Sequence, residues 1–177
     1  MIREDGARQV RSLAKSFLYA LQGVRYCIRN GRNMRIHLVF AAYVLALSPF
    51  YRFETTQMLL VVVVIGLVLF AETVNTAVEV LVDLEKPCYD HLARVAKDVA
   101  AGAVLICALF AAVVGAALYI RPAVLARILA YFISQWPLGG LFLLSLPVSA
   151  AFVFRWPRFS AALRLRSKNR GGRRRAE

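Results

Sequence analysis

The stretch TTQMLLVVVVIGLVLFAETVNTAVEVLVD, residues 55–83, decides how the chain folds. From Thr55 to Ala71 it carries no charge, and a bilayer core takes about 20 helical residues. The apolar run does not end in a loop. It continues into Glu72, Asn75, Thr76, Glu79 and Asp83, whose spacings of three, four, seven and eleven residues place all five on one helical stripe, with Val, Leu and Ala elsewhere. Seven residues advance a helix by about 10 Å and return to nearly the same direction, so Glu72 and Glu79 form a column leading from inside the membrane toward water. An acid at that depth is costly without a partner or a task. The plain alternative is a polar seam that joins helices, which calls for amides and hydroxyls more than for two carboxylates.

Composition supports a membrane reading. Of 177 residues 60% are apolar, yet 23 Lys and Arg against 10 Asp and Glu give a formal net charge of +13; mean hydropathy is +0.60. A body this small cannot hide so much apolar surface and remain wettable, which excludes a soluble domain. Nucleic acid is disfavoured as a partner, because no recognition-module pattern accompanies the charge. Cys27, Cys88 and Cys107 are isolated and form neither a disulfide framework nor a zinc motif.

Outward from the deciding stretch, Leu38–Tyr51, Val99–Ile120 and the window between Arg127 and Arg155 are also uncharged, so four spans are expected. The first is short and borrows Arg35 and His37, whose polar ends reach the interface. In the last window Pro137, Gly139, Gly140 and Pro147 argue against a straight helix. Residues 1–37 hold no uninterrupted apolar segment that would make a signal peptide. Val10, Leu13, Phe17, Leu21 and Val24 recur at helical spacing among Arg8, Arg11, Lys15 and Arg25, which describes an amphipathic helix lying in the interface. With both termini and the loop near residues 84–96 in the cytoplasm, only Arg52, Arg121 and Arg127 fall on the far side. The positive-inside rule is then satisfied. Three spans would put the basic tail outside. That tail, residues 164–175, reads as disordered and drawn to anionic lipid headgroups.

After Pro87, Lys97 and Asp98 stand at the cytoplasmic mouth of the third span, followed by Ala100, Ala101 and Gly102, small enough for another helix to approach. A lysine beside carboxylates at the water boundary suits a polyphosphate whose charge is shared with a divalent metal. Its plain counterpart is a salt bridge at a helix start. No Walker loop, kinase Gly-rich loop or His-Glu-x-x-His occurs, so a phosphate cradle here is built from side chains on helices.

The segments SFLYALQG (16–23), RNMRIH (32–37), ETVNTAVE (72–79) with Asp83, and LARVAKDVAAGAVL (92–105) resemble the small prokaryotic diacylglycerol kinase family, which includes the undecaprenol kinases of Gram-positive bacteria. The resemblance implies an all-α integral membrane protein of the bacterial inner membrane: a surface helix over residues 1–37, a three-span core over 38–120, and a homotrimer with active sites shared between subunits. Residues 121–177 would add a fourth transmembrane segment and a cytoplasmic tail, with no motif residue in either. The implied activity is ATP-dependent phosphorylation of a membrane lipid alcohol, undecaprenol ahead of diacylglycerol, with Mg2+. By the same resemblance Glu72 is the general base and Glu79 the magnesium ligand and a nucleotide contact. Asn75 and Asp83 position the acceptor, and Tyr19, Tyr89, Lys97 and Asp98 contact ATP.

The chain departs from the family pattern at Gly31, which stands where the family has a second metal-binding Glu, and at Tyr89-Asp90, where the family has Tyr-His. These departures keep a different class of function in view, a non-catalytic membrane scaffold descended from such a kinase. A transporter ranks last, because the first and third spans carry almost no polar residues beyond their cytoplasmic ends.

Overall fold

The computed structural model describes residues 2–85 and 90–155, with side chains from Leu13 onward. All elements described are helices: α1 (Ile2–Asn30), α2 (Arg32–Tyr51), α3 (Thr55–Glu85), α4 (His91–Tyr119), α5 (Pro122–Ser134) and α6 (Trp136–Arg155). The chain divides into two units, with the boundary between Arg32 and Asn33.

The first unit contains α1, whose Leu13, Phe17, Leu18, Leu21 and Val24 are all exposed. Gly31 interrupts the helical run, since glycine loses the most backbone freedom in a helix. The surface element expected over residues 1–37 therefore ends at Asn30, and residues 32–37 open α2. The basic tail lies outside the described residues.

In the second unit α2, α3, α4 and α6 are each long and apolar enough to cross a membrane. Large apolar side chains such as Phe70, Phe110 and Leu143 face outward, whereas Arg35, Ser48, Glu72, Asn75 and Thr76 are buried. That inversion suits a lipid solvent, where the polar groups turn toward the helix bundle. After α2, Arg52 adopts φ 49, the left-handed conformation that commonly follows a helix end. Gln57 then accepts from the Glu54 backbone N–H at 3.2 Å, the returning half of a capping box. α3 is 31 residues long, about 46 Å at 1.5 Å per residue, so it outruns the hydrocarbon and carries its acidic stripe toward water. It packs most closely on α4. Asp90 is the N-cap of α4 and accepts from the Leu92 and Ala93 backbone N–H groups at 2.9 and 3.1 Å.

The window between Arg127 and Arg155 resolves into two helices that meet at Gln135. α5 has 13 residues, too few to span a bilayer core. The turn between them is tight: a Cβ on Gly139 would lie 2.5 Å from the Phe132 carbonyl oxygen, so only glycine fits there. The window is thus not one straight helix, as its prolines and glycines predict, but the break falls at Gln135 and α6 runs on through Pro147; of the two, α6 alone is long enough to span. The α4–α5 end is closed by Tyr51, Val124 and Ile128, packed with Phe50, Phe53, Tyr119 and Phe132. Here Tyr51 donates to the Tyr119 carbonyl at 2.9 Å, and the Tyr119 hydroxyl meets Ser48 Oγ at 2.6 Å. Each phenol buried away from water thus has a partner.

Candidate active site

The site is built on the second half of α3. Glu72 is only 3% exposed, and Asn75 and Thr76 are buried beside it. The Thr76 hydroxyl donates back to the Glu72 carbonyl at 3.0 Å and leaves the carboxylate alone. The backbone N–H of Met34 lies close to that carboxylate. Met34 lies in the first turn of α2, where amide hydrogens have no intrahelical acceptor, so one orphan donor of α2 meets one buried anion of α3. Oε2 of Glu72 has no partner, and neither has Oδ1 of Asn75. Two buried acceptors without donors, side by side on one helix face, are costly unless something else brings the hydrogen.

One turn further Asn75 Nδ2 donates to Glu79 Oε1 at 3.2 Å, and Glu79 is exposed. The stripe therefore passes from a buried carboxylate, through an amide, to a carboxylate in contact with its surroundings. Beyond it Lys97 Nζ donates to Asp83 Oδ1, joining α4 to α3. Asp98 instead pairs with Arg94 at 3.8 Å, with both side chains well exposed. Lys97 and Asp98, read from the sequence as a pair, thus have separate partners. Adjacent residues on a helix do not face each other, whereas Arg94 and Asp98 are four apart. Of the other nucleotide contacts implied by resemblance, Tyr19 is an exposed residue of α1 in the first unit, and Tyr89 lies outside the described residues.

In the other direction from Glu72, a cavity of about 320 Å³ lies between α2, α3 and α4, its walls including Phe40, Val61, Val68, Leu69, Ala111 and Gly115. Val68 and Leu69 are one turn from Glu72, so the apolar cavity begins where the acidic stripe ends. Its polar side chains are His37 and Tyr119, and the Tyr119 hydroxyl is already bonded to Ser48 and to the Val44 carbonyl. His37 thus turns inward onto this cavity. Arg35 is more deeply placed still: it is 2% exposed, and its Nε and Nη2 donate to the Val153 carbonyl at 3.2 and 3.1 Å. Arg35 lies in the RNMRIH segment, and its partner Val153 is 118 positions away in the sequence.

Among the described residues no three His, Cys, Asp or Glu side chains converge to enclose a metal ion. Magnesium does not need such a cage, since it usually keeps several waters and binds through one or two carboxylates plus substrate phosphates. The exposed Glu79 carboxylate and the free Asn75 Oδ1 are hard oxygen donors of that kind.

Residues 18–119 match the family described as prokaryotic diacylglycerol kinase. A diacylglycerol kinase of Synechocystis sp. is 36% identical over 122 residues, 68% of this chain and 70% of that protein. An undecaprenol kinase of Bacillus subtilis is 30% identical over 120 residues, again 68% of this chain but 98% of that protein. No solved structure gives a significant match. The acidic stripe of α3, its link to Lys97 on α4 and the first turn of α2 all fall inside the matched residues, and the chain belongs to the prokaryotic diacylglycerol kinase family.

Proposed function

We propose that the protein is an ATP-dependent lipid kinase that phosphorylates the hydroxyl of a membrane lipid alcohol. The observation that carries this reading is the buried, partnerless Oε2 of Glu72 one helical turn beyond Val68 and Leu69 of an apolar cavity, with the exposed Glu79 further along the same stripe. A lipid tail in the cavity brings its hydroxyl to Glu72, while phosphates stay at the watery end near Glu79 and Lys97. Glu72 takes the hydroxyl proton, the lipid oxygen bonds to the γ-phosphorus of ATP, and the bond from that phosphorus to the bridging oxygen breaks and releases ADP. Glu79 would hold magnesium on the nucleotide phosphates, where the cation would neutralise charge developing on the transferred group. Asn75 and Asp83 position the acceptor end of the stripe, and Tyr19, Tyr89, Lys97 and Asp98 contact the nucleotide.

Undecaprenol is the favoured alcohol. The ester carbonyls of diacylglycerol would find His37 as the one polar side chain of the cavity walls not already bonded elsewhere, whereas a polyisoprenol brings a single hydroxyl and a wholly apolar tail. The rest of the assembly follows the family resemblance: a homotrimer in the bacterial inner membrane, both termini cytoplasmic, α1 lying in the interface and the basic tail on anionic headgroups. Transfer of labelled phosphate from ATP into lipid, measured on purified protein with undecaprenol and diacylglycerol in parallel, tests the reading. Transfer to undecaprenol in excess of diacylglycerol is expected. No transfer to either at any magnesium concentration would leave the non-catalytic scaffold.

A further inference from the structure

α6 lies beyond the residues that match the family, yet it is bonded to α2 at two places, Arg35 and Tyr43. Arg35 donates to the Val153 carbonyl near one end. Eight residues on, the Tyr43 hydroxyl lies 2.8 and 3.0 Å from Ser145 Oγ and Ser149 Oγ, and its ring meets Phe142 edge-on at 5.7 Å. Val153 is among the last four residues of α6, whose carbonyls have no intrahelical donor and carry the negative end of the helix dipole. A guanidinium suits that end, because its fixed fork delivers two hydrogens to one region and its charge opposes the dipole. Buried as deeply as Arg35 is, that charge is strongly disfavoured without such partners.

The residue before Arg35 is Met34, buried like Glu72 and with its backbone N–H close to the Glu72 carboxylate. The first turn of α2 is therefore held on two sides, by the catalytic carboxylate of α3 and by the C-terminal end of α6. α6 itself places no side chain on Glu72, so its effect on the site passes through this turn.

We propose that Arg35 is a positioning residue for phosphate transfer: clamped on the Val153 carbonyl, it sets the first turn of α2 so that the Met34 N–H aims Glu72 at the acceptor hydroxyl, which makes α6 a working part of the kinase. This rests on the reading of Glu72 as the base.

The test uses full-length variants in lipid: Arg35→Met, Arg35→Lys, Ser145→Ala with Ser149→Ala, the combination of Arg35→Met with that serine pair, and Glu72→Gln. A displacement of about 1 Å at a reacting group costs about 100-fold, so Arg35→Met is expected to lower kcat by about that factor while the KM for ATP moves less than about twofold. Arg35→Lys, which keeps the charge and one donor, should recover part of the loss. The serine pair should lower kcat by a smaller factor and add little on top of Arg35→Met, because both loosen the same seating. Wild-type kcat in an assembled Arg35→Met protein, or fully additive losses, would overturn the proposal. Should Arg35→Met not assemble, Arg35→Lys and the serine pair read the same coupling, and wild-type kcat in both overturns it. Glu72→Gln separates the two levels: an inactive Glu72→Gln beside a normal Arg35→Met sinks the clamp alone, whereas a normal Glu72→Gln sinks the base and the clamp with it.

Discussion

Asn75 binds Glu79 through its amide nitrogen, Nδ2 to Oε1 at 3.2 Å, while its own Oδ1 stays buried without a donor. One amide thus ties the exposed carboxylate of the stripe to the buried end, where Glu72 also has an oxygen to spare. On the proposed function, this arrangement separates two jobs that a single carboxylate could not do at once: accepting a proton from the lipid hydroxyl, and meeting a cation and phosphates near water.

Glu72→Gln should retain helicity and assembly but lose about 100-fold to 10,000-fold in turnover, the usual contribution of a general base. The amide matches the carboxylate in shape and cannot take the hydroxyl proton. Near-normal turnover in an assembled protein removes Glu72 from the role.

Glu79→Gln should act differently. It deletes a charged ligand and not the base, so the magnesium and ATP concentrations needed for half-maximal rate rise while turnover at saturation falls less than in Glu72→Gln. Asn75→Ala should move both quantities, since it frees Glu79 and removes an acceptor next to Glu72. Titrating magnesium at fixed ATP, then the reverse, distinguishes the three variants.

Gly31→Glu should lower the magnesium requirement of an active enzyme. By the family resemblance Gly31 stands where a second metal-binding Glu is expected, and a second carboxylate would add charge to a shell that magnesium would otherwise share with phosphates and water. An unchanged requirement would mean that residue 31 takes no part in metal binding.

Lys97→Met and Asp83→Asn both break the bond between α4 and α3. The Asp83 side chain is 70% exposed, and ion pairs open to solvent contribute about 0–1 kcal/mol, so thermal stability should hardly change in either. Activity should part them: Lys97→Met raises the KM for ATP, whereas Asp83→Asn leaves Lys97 able to meet phosphate. Equal KM shifts in the two would make the ion pair, and not a nucleotide contact, the function of Lys97.

Gly139→Ala is a test of fold. The new methyl would meet the Phe132 carbonyl oxygen at 2.5 Å, and forcing atoms into so tight a contact costs about 1–3 kcal/mol. The variant should lower the thermal midpoint and, if the Arg35 clamp operates, lower kcat as well.

Local rules were enough for much of this protein. An uncharged run long enough for a bilayer is a property of consecutive residues, so α2, α3 and α4 were legible from hydropathy, and the α3 stripe from helical period alone. Glu72, Asn75 and Thr76 could be placed on one face because a helix fixes the angle between positions three and four apart. What residues 32–37 do was not legible. Arg35 meets a carbonyl 118 positions away, and that meeting depends on the turn at Gln135, where Gly139 lets α6 come back close to Phe132. Nor did adjacency in the sequence identify the partner of Lys97, because consecutive helical residues point about 100° apart and the nearest carboxylate belongs to the neighbouring helix. Which residues suit lipid and which acids share a face follow from transfer free energy and helical repeat, and both are properties of consecutive residues. Which donors reach those acids, and that α6 is bonded to α2, follow from how the helices pack once their spans are set.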